Sequence, residues 1–485
     1  MKRKIAGLQR VTMVLSCTVL AAFTFWVSGC GDSGSSASLG DDPSTAPELI
    51  QATWVEIGPN NQTIARAVTS DAFNCPFLKA DGALTRMNIR VAAGTVPQRT
   101  TASAAADSKP SVFPYITCEL TLAPTTQSAS IAGIVLPLPK VNPQRVLVLA
   151  DTGCRMKKTD NIYQACSDPV AWPFPVVAAT AVAMKPDLVL HIGDAHYREN
   201  ACPSDIAGCQ NSPWGYGWDA WQADFFKPGA ALLAAAPWIM VRGNHEQCQR
   251  AGQGWYRFLD TRAYAAATSC DDPANDNTGN YSAPYGVMVG TDTQFIVFDS
   301  ANAGAAALPT TDPQFIAYQP QFQAVAQIAN KAGVASIFVN HHPILAYTPV
   351  AGANPTTGLA SLQSVANAVY PQAYYPPGVQ MAMHGHVHDL QIINFASNHP
   401  ATIVSGNGGD TIGLNIPDPL PATVVPAAGT VVNNVAQTNT FGFMVMDRQA
   451  GGWQVRAFTA AGKLLTTCSF ANSKIACDKQ GFINP

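Results

Sequence analysis

The chain has 485 residues, enough for two or three domains with cores of their own. It is 47% hydrophobic and 12% charged, with 37 glycines and 36 prolines, the balance of a globular protein with many loops. A net charge of −3 supplies no basic field for nucleic acid, and the sequence shows no internal repeat and no heptad run.

The chain opens on a basic segment, MKRKIAGLQR, continues with the apolar VTMVLSCTVLAAFTFWV and reaches Val-Ser-Gly-Cys at Cys30. That order reads as a targeting segment over residues 1–30. Its last four residues resemble a bacterial lipobox, in which the cysteine is acylated as the chain is cleaved before it. An uncleaved transmembrane anchor competes, because the apolar run approaches the roughly 18 residues that span a bilayer. The small residues before Cys30 favour the lipoprotein. Both readings put the remainder of the chain outside the cytoplasm, and the first expects it in the bacterial cell envelope, facing the periplasm or the exterior. Residues 31–47, within GDSGSSASLGDDPSTAPE, lack apolar periodicity and read as a flexible tether.

Twelve cysteines, less Cys17 and Cys30, leave ten. They fall as near neighbours: Cys75 and Cys118, Cys154 and Cys166, Cys202 and Cys209, Cys248 and Cys270, Cys468 and Cys477. Five local disulfides formed in an oxidising compartment are the simplest expectation, although spacing alone does not fix the pairing. No CxxC is present, which argues against a cysteine zinc site.

Residues 48–139 alternate short β-prone segments (TIARAVTS, MNIRVAAG, ITCELTLAP) with Pro, Asn, Gly and Ser turns, and predict a small all-β domain, a fibronectin III-like sandwich. From residue 140 to 485 the pattern changes. RVLVLA, PDLVLHIG, PWIMVRG, TQFIVFDS and ASIFVNHH are continuous apolar runs suited to buried strands. Ala-rich helical stretches such as PVVAATAVAMK lie between them, so this region is α/β with both sheet faces covered. FGFMVMDRQAGGWQVRAFTAAGKLL predicts a closing hairpin that turns at Gly451-Gly452.

The chemistry sits where those runs end. Asp151 follows the first, Asp194 and Tyr197 the second, Asn244 and His245 the third, His341 and His342 the fifth. MAMHGHVHDL places His384, His386 and His388 at alternate positions, which in an extended strand would all face one side. Ligands of open α/β sheets bind at the carboxyl ends of strands. Mixed oxygen and imidazole donors suit first-row divalent metals or iron rather than calcium or magnesium. The number of donors suggests two ions with one shared carboxylate. Two metals roughly 3.5–4 Å apart clamp both the attacking and the leaving oxygen in phosphoryl hydrolysis.

The ordered set D…GDxxY…GNHE…HHP…GHVH, from Asp151 to His388, resembles the calcineurin-like metallophosphoesterase superfamily. The resemblance implies a four-layer β-sandwich flanked by helices. In that superfamily the first block is often Asp-x-His; here Gly153 stands at the third position, and Tyr197 in GDAHY supplies a replacement donor. Asp-x-Gly with Gly-Asp-x-x-Tyr is the purple acid phosphatase pattern. SGNGGD (Ser405–Asp410) and WDAW (Trp218–Trp221) look similar to that branch too, whereas Ala150 replaces its usual Gly.

Carried over, the first metal takes Asp151, Asp194, Tyr197 and His388. The second takes Asp194, Asn244, His341 and His386. The pair is expected to be Fe at the Tyr197 site with Fe, Zn or Mn beside it. His245 would contact the phosphate and protonate or stabilise the leaving oxygen, while a metal-bridging hydroxide attacks phosphorus. The implied substrate is a phosphate monoester, with a diester or nucleotide hydrolase as the alternative and a non-catalytic surface lipoprotein as the weakest reading. No nucleic-acid partner is indicated, and the membrane contact is the lipid on Cys30.

Bland readings compete for the remaining residues. His384 is expected behind the ligands, His342 and His196 exposed or bonded to a ligand, His191 in the core, and His399 in a loop without signal. SGNGGD reads equally as a phosphate cradle of backbone N–H groups or as an ordinary turn. The branch's additional phosphate-binding histidines have no counterpart in ILAYTPVAGANP, where Tyr347 is the candidate substitute.

Overall fold

The computed structural model describes residues 46–484. The targeting segment, Cys30 and the tether up to residue 45 lie outside the described residues. Among those described, no helix is long and apolar enough to cross a membrane.

Two large sheets face each other. The three runs that end in Asp151, Asp194 and Asn244 are the strands Arg145–Leu149, Leu188–Ile192 and Trp238–Val241, adjacent and parallel in an 11-stranded sheet. Thr293–Val297, Ala335–Val339 and Val379–His384 are adjacent and parallel in a second sheet of eight strands. The period-2 alternation of a strand assigns each apolar residue to one layer. Val146 and Val148 point between the sheets, where they join Leu190, Ile192, Phe295, Ile337, Val339 and Met383 in one core. Leu147 and Leu149 point outward and pack with Phe174, Val177 and Ala181 of the helix Phe174–Ala183. Phe338 and Ile296 do the same on the other side, against Phe322 and Val325 of the helix Pro313–Ala329. The result is a four-layer β-sandwich between helices. Continuous apolar runs follow, because both faces of each central strand are covered.

The all-β N-terminal region joins this sandwich edge to edge. Ile50–Ile57 pairs in parallel with Trp238–Val241, with Glu56 opposite Trp238, and then antiparallel with Thr63–Thr69. It thereby covers an edge that Trp238–Val241 would otherwise leave open. A separate four-stranded sheet packs over it, around Val55, Ala65, Leu78, Cys118 and Ile131. The closing hairpin runs Gly442–Gln449 and Gly452–Thr459 with Gln449 opposite Gly452, so the turn centres one residue earlier than expected, on Ala450 and Gly451.

Ten cysteines form the five near-neighbour pairs Cys75–Cys118, Cys154–Cys166, Cys202–Cys209, Cys248–Cys270 and Cys468–Cys477. Cys154 and Cys248 stand just beyond Asp151 and Glu246, so two of these bridges brace the loops that carry candidate ligands.

Buried Arg66 pairs with Glu56 of the neighbouring N-terminal strand and ties both strands to the rest of the chain. Arg66 Nη1 lies 2.9 Å from Glu56 Oε2 with both side chains fully buried, and Arg66 Nη2 donates to Asp260 O at 2.5 Å. Trp54 Nε1 donates to the other Glu56 oxygen at 2.8 Å. Removing one partner of such a pair strands a charge in the core. Arg66→Met is expected to destabilise the protein by about 3–5 kcal/mol in urea unfolding, with most of that recovered in the Glu56→Gln/Arg66→Met double variant. A cost under about 1 kcal/mol for the single variant would show that Arg66 does not hold these elements together.

Candidate metal centre

The loops after the parallel strands are bonded to one another before any side chain is considered. Asp151 N donates to Gly193 O and Thr152 N to Asp194 O, both at 3.0 Å, and Gly385 N donates to His341 O at 3.0 Å. Three candidate ligands occupy left-handed backbone conformations: Asp151 and Asp194 at φ 56° and His386 at φ 68°. Residues with a Cβ take this conformation at a cost that the surrounding bonds must offset. Glu246 provides much of that support. Its carboxylate is buried and accepts from four backbone N–H groups, those of Gly243 and Asp194 at 3.0 Å, Ala195 at 2.9 Å and His196 at 3.2 Å. At Gly243 a Cβ would collide with the backbone N and carboxylate of Asp194, so the residue before Asn244 has no room for a side chain.

The side chains converge in two groups. Tyr197 Oη lies 2.7 Å from Asp151 Oδ1, 2.9 Å from Asp194 Oδ2 and 3.2 Å from His388 Nε2. Asp194, His341 and His386 place one donor atom each within 4.8 Å of one another, and Asn244 Oδ1 lies 3.0 Å from His386 Nδ1. All seven proposed ligands are therefore gathered, and Asp194 belongs to both groups.

Position 153 shows why tyrosine and glycine go together. A Cβ there would come within 2.8 Å of Tyr197 N and 2.9 Å of Tyr197 Cδ2. The tyrosine ring fills the space a side chain at 153 would need. Asp224 locks this arrangement by accepting from Cys154 N at 3.0 Å and from Tyr197 N at 2.8 Å. It sits in a wide π-type turn, Gln222–Phe226, a departure from α geometry that recurs at functional sites.

The donor chemistry fits cations. Burial, reinforced by Asp151, Asp194 and Asp410, holds the Tyr197 phenol well above its ordinary pKa, so only a bound cation would ionise it. His341 Nδ1 is 2.8 Å from Ile192 O, and its buried Nε2 faces Asp194 Oδ2 at 3.0 Å. Burial lowers the pKa of this imidazole, but Asp194 and Asp151 outweigh it and raise it to about 9, so the pocket favours positive charge at this point. An imidazole nitrogen and a carboxylate oxygen turned to one buried point form the arrangement of a ligand pair, in which a cation would take the place of the proton.

His245 is oriented from behind. Its Nδ1 lies 2.8 Å from Glu199 Oε1 and 2.5 Å from Arg250 Nη2, and Arg250 in turn pairs with Glu199. Its Nε2 edge faces Asp194 Oδ2 at 3.9 Å, and its ring packs 3.8 Å from that of Tyr197. Burial, with Arg250, pushes the imidazole pKa well below its usual value, against the pull of Asp194 and Glu199.

Several expectations are corrected. The strand Val379–His384 stops at His384, and the left-handed His386 breaks the alternation. His384 consequently turns away, with Nδ1 2.7 Å from Asn340 Oδ1, while His386 and His388 reach the centre from a loop. His196 is neither exposed nor bonded to a ligand: it is fully buried beside Tyr216 and Trp221, and neither ring nitrogen has a partner. His342 is buried against the His386 ring, with Nδ1 3.1 Å from Ser300 Oγ. In SGNGGD, Gly406, Gly408 and Asp410 donate their N–H groups to Asp389, Ala150 and Asp151 carbonyls, so these three are not free to cradle phosphate. Tyr347 is buried with its hydroxyl donated to Val424 O, which removes it as a substitute phosphate contact. His191 is a core residue, 3.0 Å from Thr152 Oγ1, and His399 bonds to Gln372 O in its loop. The supporting residues Asp224, Glu199, Arg250 and Arg155 carry no motif. The one local signal was an acid inside an apolar run, as in QADFF.

Residues 144–390, just over half of the chain, match the calcineurin-like phosphoesterase family. Among solved structures, the fold is similar to that of a purple acid phosphatase from yellow lupin (Lupinus luteus) seeds, at 16% identity and a TM-score of 0.51 over 86% of this chain and 73% of that one. It is also similar to the structure of PhoD, at 10% identity and a TM-score of 0.47 over 89% of this chain and 92% of that one. No curated protein matches the sequence. With the ordered motifs, the four-layer sandwich and the gathered donor set, the family match establishes that the chain belongs to the calcineurin-like phosphoesterases, hydrolases of phosphoric esters.

Proposed function

We propose that the protein is an exported phosphatase that hydrolyses phosphate monoesters at a dinuclear metal centre of the purple acid phosphatase type. The observation that carries this reading is Asp194: its carboxylate is shared between the Asp151–Tyr197–His388 group and the His341–His386 group. The first group, with Asp194, would hold iron; the second, with Asn244, would hold Fe, Zn or Mn. Cations in these donor sets would supply Lewis acidity towards the phosphoryl oxygens and a nucleophile from water. The chain's own residues do the rest. Glu199 and Arg250 hold His245 at Nδ1 and so turn its Nε2 edge to Asp194, where a proton on Nε2 would be available to a departing alkoxide. The packed histidines and Tyr197 exclude bulk water behind the centre. Export is supported by five disulfides, which persist in oxidising compartments, and by the lipobox-like sequence ending at Cys30.

Loss of Asp194 and loss of His245 are expected to differ in kind. Asp194→Ala should empty the centre and abolish turnover. His245→Ala should keep bound metal near normal and lower kcat by about 10²–10⁴. Stoichiometric metal loss in the His245 variant, by elemental analysis, would contradict its assignment to the leaving group.

A phenolate is a hard anionic donor suited to ferric iron, and a ferric phenolate absorbs visible light by charge transfer. Iron-loaded protein should therefore be coloured, and Tyr197→Phe should remove the band at matched iron content with the fold intact by circular dichroism. A colourless iron-loaded wild type, or an unchanged band in the variant, would remove Tyr197 from the ligand set.

The anchor is tested on Cys30. In a bacterial host Cys30→Ser should leave the precursor uncleaved or release the protein in soluble form. If size and membrane attachment do not change, lipid is not the anchor.

A further inference from the structure

Beyond the seven proposed ligands and His245, one cation reaches the metal-facing atoms. The Arg155 guanidinium lies 4.8 Å above the Tyr197 ring, with Nη2 3.5 Å from His388 Nε2. That imidazole nitrogen is the one turned to Asp151 Oδ1, 3.4 Å away, and to Tyr197 Oη. Arg155 and His388 lie on the open edge of the centre, as the half-buried Asn244 and His386 do. The Arg155 and His388 side chains are 12% and 14% exposed, against 4% or less for Asp151, Asp194, His341 and His245.

A guanidinium has five N–H donors in a planar fork. Fully buried Asp410 takes two of them, from Nε at 2.9 Å and from Nη2 at 2.5 Å. Asp160 takes a third, from Nη1 at 2.8 Å. One donor is left on Nη1, and the second Nη2 donor has only the long 3.5 Å contact to His388 Nε2. The two carboxylates are not equivalent. Asp410 fixes the fork from inside the protein, whereas Asp160 is 29% exposed and has only the Thr159 hydroxyl, at 3.2 Å, and Lys157 Nζ, at 3.9 Å, as other partners. Lys157 Nζ is equally 3.9 Å from Glu199 Oε1, so Asp160 stands between two rim cations as their counter-anion. An oxyanion arriving beside His388 can take the Nη2 proton now turned to that imidazole and replace Asp160 on Nη1 without disturbing Asp410.

We propose that Arg155 is a substrate-contact residue that grips a non-bridging oxygen of the phosphate, positioned by Asp410, and that Asp160 is the resident anion the substrate displaces. This rests on the phosphoesterase reading of the same centre. It assigns to one arginine the phosphate contact that neither Tyr347 nor the three bonded N–H groups of SGNGGD make.

The test measures inorganic phosphate binding to metal-loaded protein by isothermal titration calorimetry, together with KM and kcat on p-nitrophenyl phosphate and the metal content of each variant. Arg155→Gln is expected to weaken phosphate binding and raise KM by about 10–100-fold at unchanged metal content. Arg155→Lys should recover only part of this, because an ammonium lacks the fork. Asp160→Asn removes the competing anion and should tighten phosphate binding by about 2–5-fold. The opposite signs separate contact from support: an arginine that only held the loop would give lower metal content or melting temperature, with phosphate affinity per loaded molecule unchanged. That result, or unchanged or weaker phosphate binding in Asp160→Asn, overturns the proposal. Should Arg155→Gln fail to fold, the Asp160→Asn result decides alone. Arg155-dependent phosphate binding without turnover of any ester would instead overturn the monoesterase reading and leave the contact standing.

Discussion

The centre depends on how Asp194 is held. Its amide donates to Glu246, its carbonyl accepts from Thr152, one carboxylate oxygen accepts from His245 N at 2.8 Å, and the other faces Tyr197 and His341. The backbone there is left-handed, and the missing side chain of Gly243 makes room for the carboxylate. Burial acts to raise the pKa of Asp194, but His341, His245 and Arg250 outweigh it and hold it well below the usual carboxylate range. A second buried carboxylate, Asp151, shares the Tyr197 hydroxyl with it. Two carboxylates brought this close in a site that excludes water demand positive charge between them. The strained residues, the close glycine and the four N–H bonds to Glu246 all serve that one juxtaposition.

What could be read from the sequence follows from this. Ligands sit at strand ends, and the strands are continuous apolar runs because helices cover both sheets, so Asp151, Asp194, Asn244 and His341 stand out by position alone. MAMHGHVHDL was legible as a cluster but not as a geometry. Period-2 reasoning treats His384, His386 and His388 alike, and one left-handed residue after Gly385 sends His384 to Asn340 and the other two to the centre. Propensity is local, whereas that break is imposed by Gly385 N bonding to His341 O and His386 N bonding to Asp151 Oδ2. The same limit hid Asp224 and Glu199, whose partners Tyr197 and Arg250 are distant in sequence and share no spacing. It also hid the edge-to-edge junction of Ile50–Ile57 with Trp238–Val241, because a change of composition near residue 140 says nothing about strand pairing.

The exchange of a histidine for a tyrosine is a packing event as much as a change of donor. Tyr197 approaches from the loop after the second strand and covers Gly153, so a side chain at 153 and a phenol at 197 exclude each other. Asp224 enforces the choice by binding Cys154 N and Tyr197 N together, and the Cys154–Cys166 bridge closes the loop on its far side. Glycine at 153 alone would leave a void; tyrosine at 197 alone would collide. Only the pair is compatible with close packing.

Charge around the centre is divided by depth. Arg250 and Glu199 are buried, pair with each other and set the His245 ring. Arg155 is their counterpart at the rim. Its inner edge is satisfied by a buried carboxylate and its outer edge by an exposed one. A buried ion pair is expensive to break, whereas an exposed one costs little to exchange. The inner pair therefore suits a group that must stay fixed through the reaction. The outer pair suits a group that must change partners each time a phosphate enters and leaves. Depth, more than residue type, separates the arginine that orients from the one that grips.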